Sequence, residues 1–140
     1  MPFTLSARSR ANLAGVHPHL VRVVDLAIRL SPVDFTVTAG NRTQAEQDAL
    51  YAQGRTQPGR VVTWTRNSRH IGGFAVDVAP WVDGAINWDD SGKLGLWPQI
   101  AAAFKSAAEQ LDTPIVWGGD WKQDKRDRPH FELDRARYPK

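Results

Sequence analysis

The sequence predicts an α+β fold, on two observations: helical and strand periodicities are interspersed without the regular βαβ rhythm of a parallel sheet, and no internal repeat or linker divides the chain. At 140 residues the chain has the length of one domain, expected to span 1–140, and can bury a core without crosslinks. Hydrophobic residues make up 41% and charged residues 24%, a soluble globular composition. The absence of cysteine excludes disulfides, thiolate nucleophiles and cysteine-ligated zinc, so any metal falls to His, Asp or Glu. The net charge of +3 permits an acidic partner without demanding one.

From Ser9 to Leu30, Leu13, Val16, Leu20, Val24, Ala27 and Ile28 recur at steps of mostly three and four, which predicts one helix with a buried face, ended by Ser31 and Pro32. Phe35 to Ala39 reads as a strand, with Gly40 and Asn41 as a turn. Thr43 and Glu46 have the form of a capping box opening a helix to about Gln53. Between Gly54 and Gly73 lie further glycines, a proline, four arginines and no acid, which predicts a long loop. Phe74 to Val78 alternates, Phe74, Val76 and Val78 facing one way and Ala75 and Asp77 the other, and Pro80 is expected to close this strand. A helix from Leu96 to Leu111 tolerates Pro98 in its first turn, and Pro114 to Trp117 and His130 to Leu133 read as short strands.

Two segments carry chemistry. His70, Gly73, Ala75 and Asp77 are spaced as HxxGxAxD, a loop histidine followed by an aspartate on the polar face of a strand. Zinc accepts such mixed ligands at ~2.0 to 2.2 Å when rigid backbone holds them. A salt bridge that orders the loop is the alternative. Asp127, Pro129, His130 and Glu132 read as DxPHxE, in which His130 and Glu132 share one face of a strand opposite Phe131 and Leu133. Here the alternative is an edge strand with its wet face outward. Taken together, two His and one Asp leave a fourth zinc position for water, as a catalytic site requires.

These residues resemble the cell-wall metallopeptidases that include the phage L-alanyl-D-glutamate endolysins and the D-alanyl-D-alanine carboxypeptidases and dipeptidases. The likeness runs from about Phe3 to Leu133 and rests on Ser68 and His70 through Asp77 as SxHxxGxAxD, on Asp127 three residues before His130, and on the GGDW turn from Gly118 to Trp121. No HExxH string of the other zinc peptidases is present. The resemblance implies a small antiparallel sheet packed with helices, of the hedgehog and DD-peptidase type. It implies zinc (Zn2+) bound by His70, Asp77 and His130, with Asp127 as the general base. Glu132 is the rival for that role and otherwise a partner fixing an imidazole. Arg42 matches the cation near the scissile carbonyl, a solvated arginine at a helix start being the other reading, and Ser68 is expected to hydrogen-bond a ligand or substrate.

The short chain, the basic loop and the DxPHxE ending look most like the endolysin branch, which implies peptidoglycan stem peptides as substrate. A D-alanyl-D-alanine carboxypeptidase of the same fold, or a cell-wall binding module without activity, are the other readings. The expected setting is synthesis in the host bacterial cytoplasm and release to the wall through a holin-type pore, since no signal-peptide pattern or membrane span is read. A monomer without nucleic-acid binding is expected. Asp120 is read as capping a turn and Trp121 as walling the cleft. His17 and His19 offer a remote second metal site, the six tryptophans a carbohydrate-binding reading or core and cleft walls, and Arg55, Arg60, Arg66 and Arg69 either attraction of the carboxylates of stem peptides, or of nucleic acid, or, as the reading preferred, a solvated loop.

Overall fold

Two helices, not one, form the start of the chain in the computed structural model, which describes residues 2–63 and 65–139. Helix α1 (Ala7–Asn12) is capped by the Ser6 side chain, and α2 (Pro18–Leu30) begins with Pro18 in its first turn. The expected continuous helix breaks at Gly15, whose φ of 80° is left-handed. The His17 N–H then donates to Gly73 O at 2.9 Å, so the break docks the beginning of the chain against the glycine turn that precedes the central strand.

Strand β1 (Phe35–Ala39) and helix α3 (Gln44–Ala52) follow, and Thr43 and Glu46 form both halves of the capping box. Strand β2 (Ala75–Val82) continues past Pro80, where the sequence suggested an end. By Pro80 its inner neighbour has already stopped, the Pro80 carbonyl still accepts from Asn87 N–H at 3.0 Å, and Trp81 N–H donates to Asp34 O at 2.9 Å. The missing proline donor therefore falls at the sheet margin, where it is tolerated. A two-residue strand β3 (Ala85–Ile86) pairs back on β2 and carried no sequence signal of its own. Helix α4 (Leu96–Gln110) and strands β4 (Ile115–Trp117) and β5 (His130–Leu133) lie within a residue of their expected bounds, with a 3-10 turn at Gly118–Asp120 after β4.

The sheet is antiparallel with order β1-β2-β5-β4, which makes β5 an inner strand and not an edge. Helices α2 and α4 pack together over one face, where Val76, Val78, Phe131 and Leu133 meet Val23, Val24, Ile28, Ile100 and Phe104 in one apolar cluster. Phe104 stacks on Phe131 with ring centroids 3.9 Å apart. The alternation that sends these side chains inward sends Asp77, His130 and Glu132 to the opposite face.

Candidate active site

Register builds the first half of the site. Asp77 on β2 lies directly opposite His130 on β5, and Ala75 lies opposite Glu132, so one pleated surface presents an aspartate beside a histidine and a small residue beside a glutamate. His70 arrives from the long loop. Its backbone carbonyl accepts from Arg42 N–H at 2.9 Å and its N–H donates to Ser68 Oγ at 3.1 Å, which docks the loop on the segment after β1. Gly73 closes the turn back to β2 with a φ of 82°, and an added Cβ there would lie 2.2 Å from Gly15 O.

The side chains of His70, Asp77 and His130 each offer one ligand atom, all within 4.8 Å of one another. His70 Nε2 lies 3.3 Å from Asp77 Oδ2, and His130 Nδ1 lies 3.4 Å from Asp77 Oδ1. Tetrahedral zinc with ligand bonds of ~2.0 to 2.2 Å separates its ligand atoms by roughly 3.3 to 3.6 Å, a spacing that each histidine reaches toward Asp77, through a different carboxylate oxygen. Asp77 Oδ1 is buried and accepts no hydrogen bond of good geometry, its nearest partner being His130 Nδ1 at 3.4 Å, so it has capacity left for a bound cation. The far side of each imidazole is already held: His70 Nδ1 pairs with Gly40 O at 2.8 Å, and His130 Nε2 with Glu132 Oε1 at 3.0 Å. Such outer partners fix the tautomer and aim the free nitrogen inward. The donor set therefore fits a zinc-like cation.

Electrostatics follow from the same packing. Burial opposes ionisation of Asp77, but the two adjacent imidazoles outweigh it and hold the carboxyl far below the usual range. Burial likewise lowers the pKa of His130, yet its contacts with Asp77 and Glu132 push it up to about 9. Asp127, exposed at the cavity wall, moves the other way: partial desolvation of its carboxyl and then the Asp77 charge raise its pKa. Its position depends on Gly118, whose carbonyl accepts from Asp127 N–H at 2.9 Å and whose added Cβ would lie 2.2 Å from Asp127 O.

Asp127, Arg42, Ser68, Trp121 and the three-residue cluster line one cavity of about 490 Å³. Trp121 packs against the His130 ring at 5.1 Å, and Asp120 beside it pairs with Lys105 at 2.9 Å. Arg42 is not simply solvated: its Nη1 donates to Gln47 Oε1 at 2.9 Å and its Nη2 lies 3.8 Å from Asp77 Oδ2. Glu132 has both oxygens engaged, Oε1 with His130 and Oε2 with Arg135 at 3.1 Å and Arg69 at 3.4 Å. Burial raises its pKa, but the His130 and Arg135 contacts dominate and lower it.

The basic loop is not uniformly solvated either. Arg69 is buried, donates to Leu133 O and Tyr138 O at 2.9 Å each, and lies over the Phe74 ring. Arg55 and Arg66 both stack on Tyr51 while staying exposed, as Arg60 is. Gln47, fully buried, donates to Thr65 O at 2.7 Å and so ties the loop to α3 while it holds Arg42. Neither Arg69 nor Gln47 was singled out from the sequence as a site element. One resembles its solvated neighbours, and the other is a polar residue in a helix of weak amphipathicity. His17 and His19 join Tyr138 and Phe74 in an aromatic cluster, with His19 Nδ1 bonded to Tyr138 Oη at 2.7 Å, and they lie outside the three-residue ligand group. Of the six tryptophans, Trp97 and Trp117 pack in or against the core, Trp121 walls the cavity, Trp81 and Trp88 are exposed, and Trp64 lies outside the described residues.

Residues 1–138 match the family described as phage L-alanyl-D-glutamate peptidase. The L-alanyl-D-glutamate peptidase of Escherichia phage T5 is 33% identical over 138 residues, 99% of this chain and 94% of the relative. The peptidoglycan L-alanyl-D-glutamate endopeptidase CwlK of Bacillus subtilis is 39% identical over 109 residues, 72% of this chain and 61% of that longer protein. The crystal structure of Serratia marcescens L-Ala D-Glu endopeptidase ChiX has the same α+β fold, with a TM-score of 0.82 at 40% identity, covering 99% of this chain and 96% of that one. A family match over nearly the full length of this chain, two relatives and a shared fold converge on one conclusion: the chain belongs to the phage L-alanyl-D-glutamate peptidase family.

Proposed function

We propose that this chain, acting as one peptidase domain and as a monomer, is a zinc-dependent endopeptidase that hydrolyses the L-alanyl-D-glutamate bond of peptidoglycan stem peptides. The observation that carries the reading is the convergence of His70 Nε2, His130 Nδ1 and an Asp77 carboxylate oxygen with capacity left for a cation, in a cavity that Asp127 and Arg42 also line. Zinc, when bound by His70, Asp77 and His130, lowers the pKa of water from 15.7 to ~7 and polarises a carbonyl.

The chain's own groups do the rest. The Asp127 carboxylate takes the proton of the attacking water and returns it to the leaving nitrogen, a role worth ~10² to 10⁴ in rate. Arg42, anchored by Gln47, donates to the oxygen that gains charge as the carbonyl becomes tetrahedral. Glu132 is a poor base because its oxygens are committed to His130, Arg69 and Arg135, and instead it orients His130. Ser68 orders the His70 backbone.

No helix among the described residues is long and apolar enough to cross a membrane. The proposed setting is a lysis protein made in the host cytoplasm that reaches the wall through a holin-type pore. Digestion of purified sacculi, with new termini identified by mass spectrometry, tests the activity. Free N-terminal D-glutamate is the expected product. Released D-alanine would point to a carboxypeptidase, and zinc binding with no new termini to a binding module, and either result would overturn the proposal.

A further inference from the structure

A second cavity of about 400 Å³ adjoins the first, and Arg126 and Asp127 line both, so this segment is their common wall. The apolar side of the second cavity is Trp88 stacked on Trp97, with ring centroids 6.4 Å apart at 26°. Trp88 is 45% exposed, yet its mount is rigid. Its carbonyl accepts from Trp97 Nε1 at 2.7 Å, and the next residue, Asp89, accepts from Leu94 N–H and Leu96 N–H at 3.2 Å each. The polar side carries Arg126 and Arg128, whose guanidinium groups form no ion pair with a described residue, and the cavity's acid besides Asp127 is Asp90.

We propose that this cavity is the subsite for the residue on the leaving side of the scissile bond, and that Arg126 and Arg128 select a free α-carboxylate there. The inference rests on the reading of Asp127 given above. If Asp127 returns a proton to the leaving nitrogen, that nitrogen sits at the common wall, and the residue attached to it extends away from the ligand cluster into the second cavity. In an L-alanyl-D-glutamate substrate the α-carboxylate is borne by the carbon bonded to that same nitrogen. It therefore lies beside the wall that Arg126 forms, within the fork geometry guanidinium groups offer to carboxylates. The Trp88 face covers the aliphatic part of the residue. An α-carboxamide, as in an isoglutamine stem, presents a neutral group to the same two cations.

The test uses the zinc-loaded chain and two synthetic stem peptides that differ only in an α-carboxylate or an α-carboxamide on the second residue. Wild type should favour the carboxylate in kcat/KM by about 10- to 100-fold, the range of a charge-assisted bond. Arg126→Gln with Arg128→Gln should bring the ratio near one, and Arg126→Lys should retain part of it, because a cation remains. The inference is overturned if wild type shows no preference or if the double variant keeps the wild-type ratio. Failure of wild type to cut either peptide would instead sink the catalytic reading, and this inference with it.

Discussion

The molecule holds two pairs of close histidines, and only one resembles a metal centre. His70 and His130 have ring centroids 5.2 Å apart, and His17 and His19 have theirs 4.9 Å apart, so proximity does not separate them. Surroundings do. Between the first pair stands Asp77, and the outer nitrogens of both rings are bonded to Gly40 O and Glu132, which leaves the inner nitrogens facing one point. The second pair faces Tyr138 and Phe74, and His17 Nδ1 is spent accepting from His19 N–H at 3.0 Å as the cap of α2. A ligand set is a matter of carboxylate supply and outer-shell orientation more than of histidine spacing.

Substitutions can break this contrast, and the largest effect is expected at Asp77. Asp77→Asn should take cleavage of stem peptide to background and remove bound zinc, measured by metal analysis of the purified protein, while the double variant His17→Ala, His19→Ala keeps both. Next in size is Asp127→Asn, expected to lower kcat by ~10² to 10⁴ with zinc retained. Gly118→Ala should follow it in kind, because its Cβ would lie 2.2 Å from Asp127 O and displace the proposed base without touching the proposed ligands. Glu132→Gln comes third. Loss of an outer-shell partner should weaken zinc by ~10- to 100-fold in a competition titration with a chelating dye.

The metal-free protein offers a smaller, pH-dependent effect. The folded pKa of His130 is raised to about 9 from an unfolded value near 6.5, so its contribution to stability is complete below about 6.5 and is lost as pH rises through about 9. The melting temperature of the chelated protein should therefore fall between those pH values, and His130→Gln should flatten that slope. Smallest is the His17→Ala change alone, expected to cost about 1 kcal/mol as a lost helix cap with activity intact.

Much of this contrast was legible in the sequence because it rests on local rules. Strand alternation put Asp77, His130 and Glu132 on faces opposite Val76, Phe131 and Leu133, and the Thr43 and Glu46 spacing fixed the start of α3. What was not legible depends on partners distant along the chain. The helix expected from Ser9 to Leu30 breaks because Gly15 and Val16 must receive the Gly73 turn, a contact 58 residues away in sequence. Arg69 looks like any loop arginine until the fold buries it against Glu132 and the carbonyls of Leu133 and Tyr138. The pairing of β5 on both sides, which turns Glu132 from a surface residue into a buried anchor, follows only from the sheet order.

Zinc titration into the chelated, metal-free chain, with bound zinc and stem-peptide cleavage followed on the same samples, decides whether the group of His70, Asp77 and His130 is a catalytic metal site. Activity should rise in proportion to zinc and saturate at about one ion per chain. Full cleavage by protein without detectable metal, or zinc bound at saturation with no cleavage, would contradict that role.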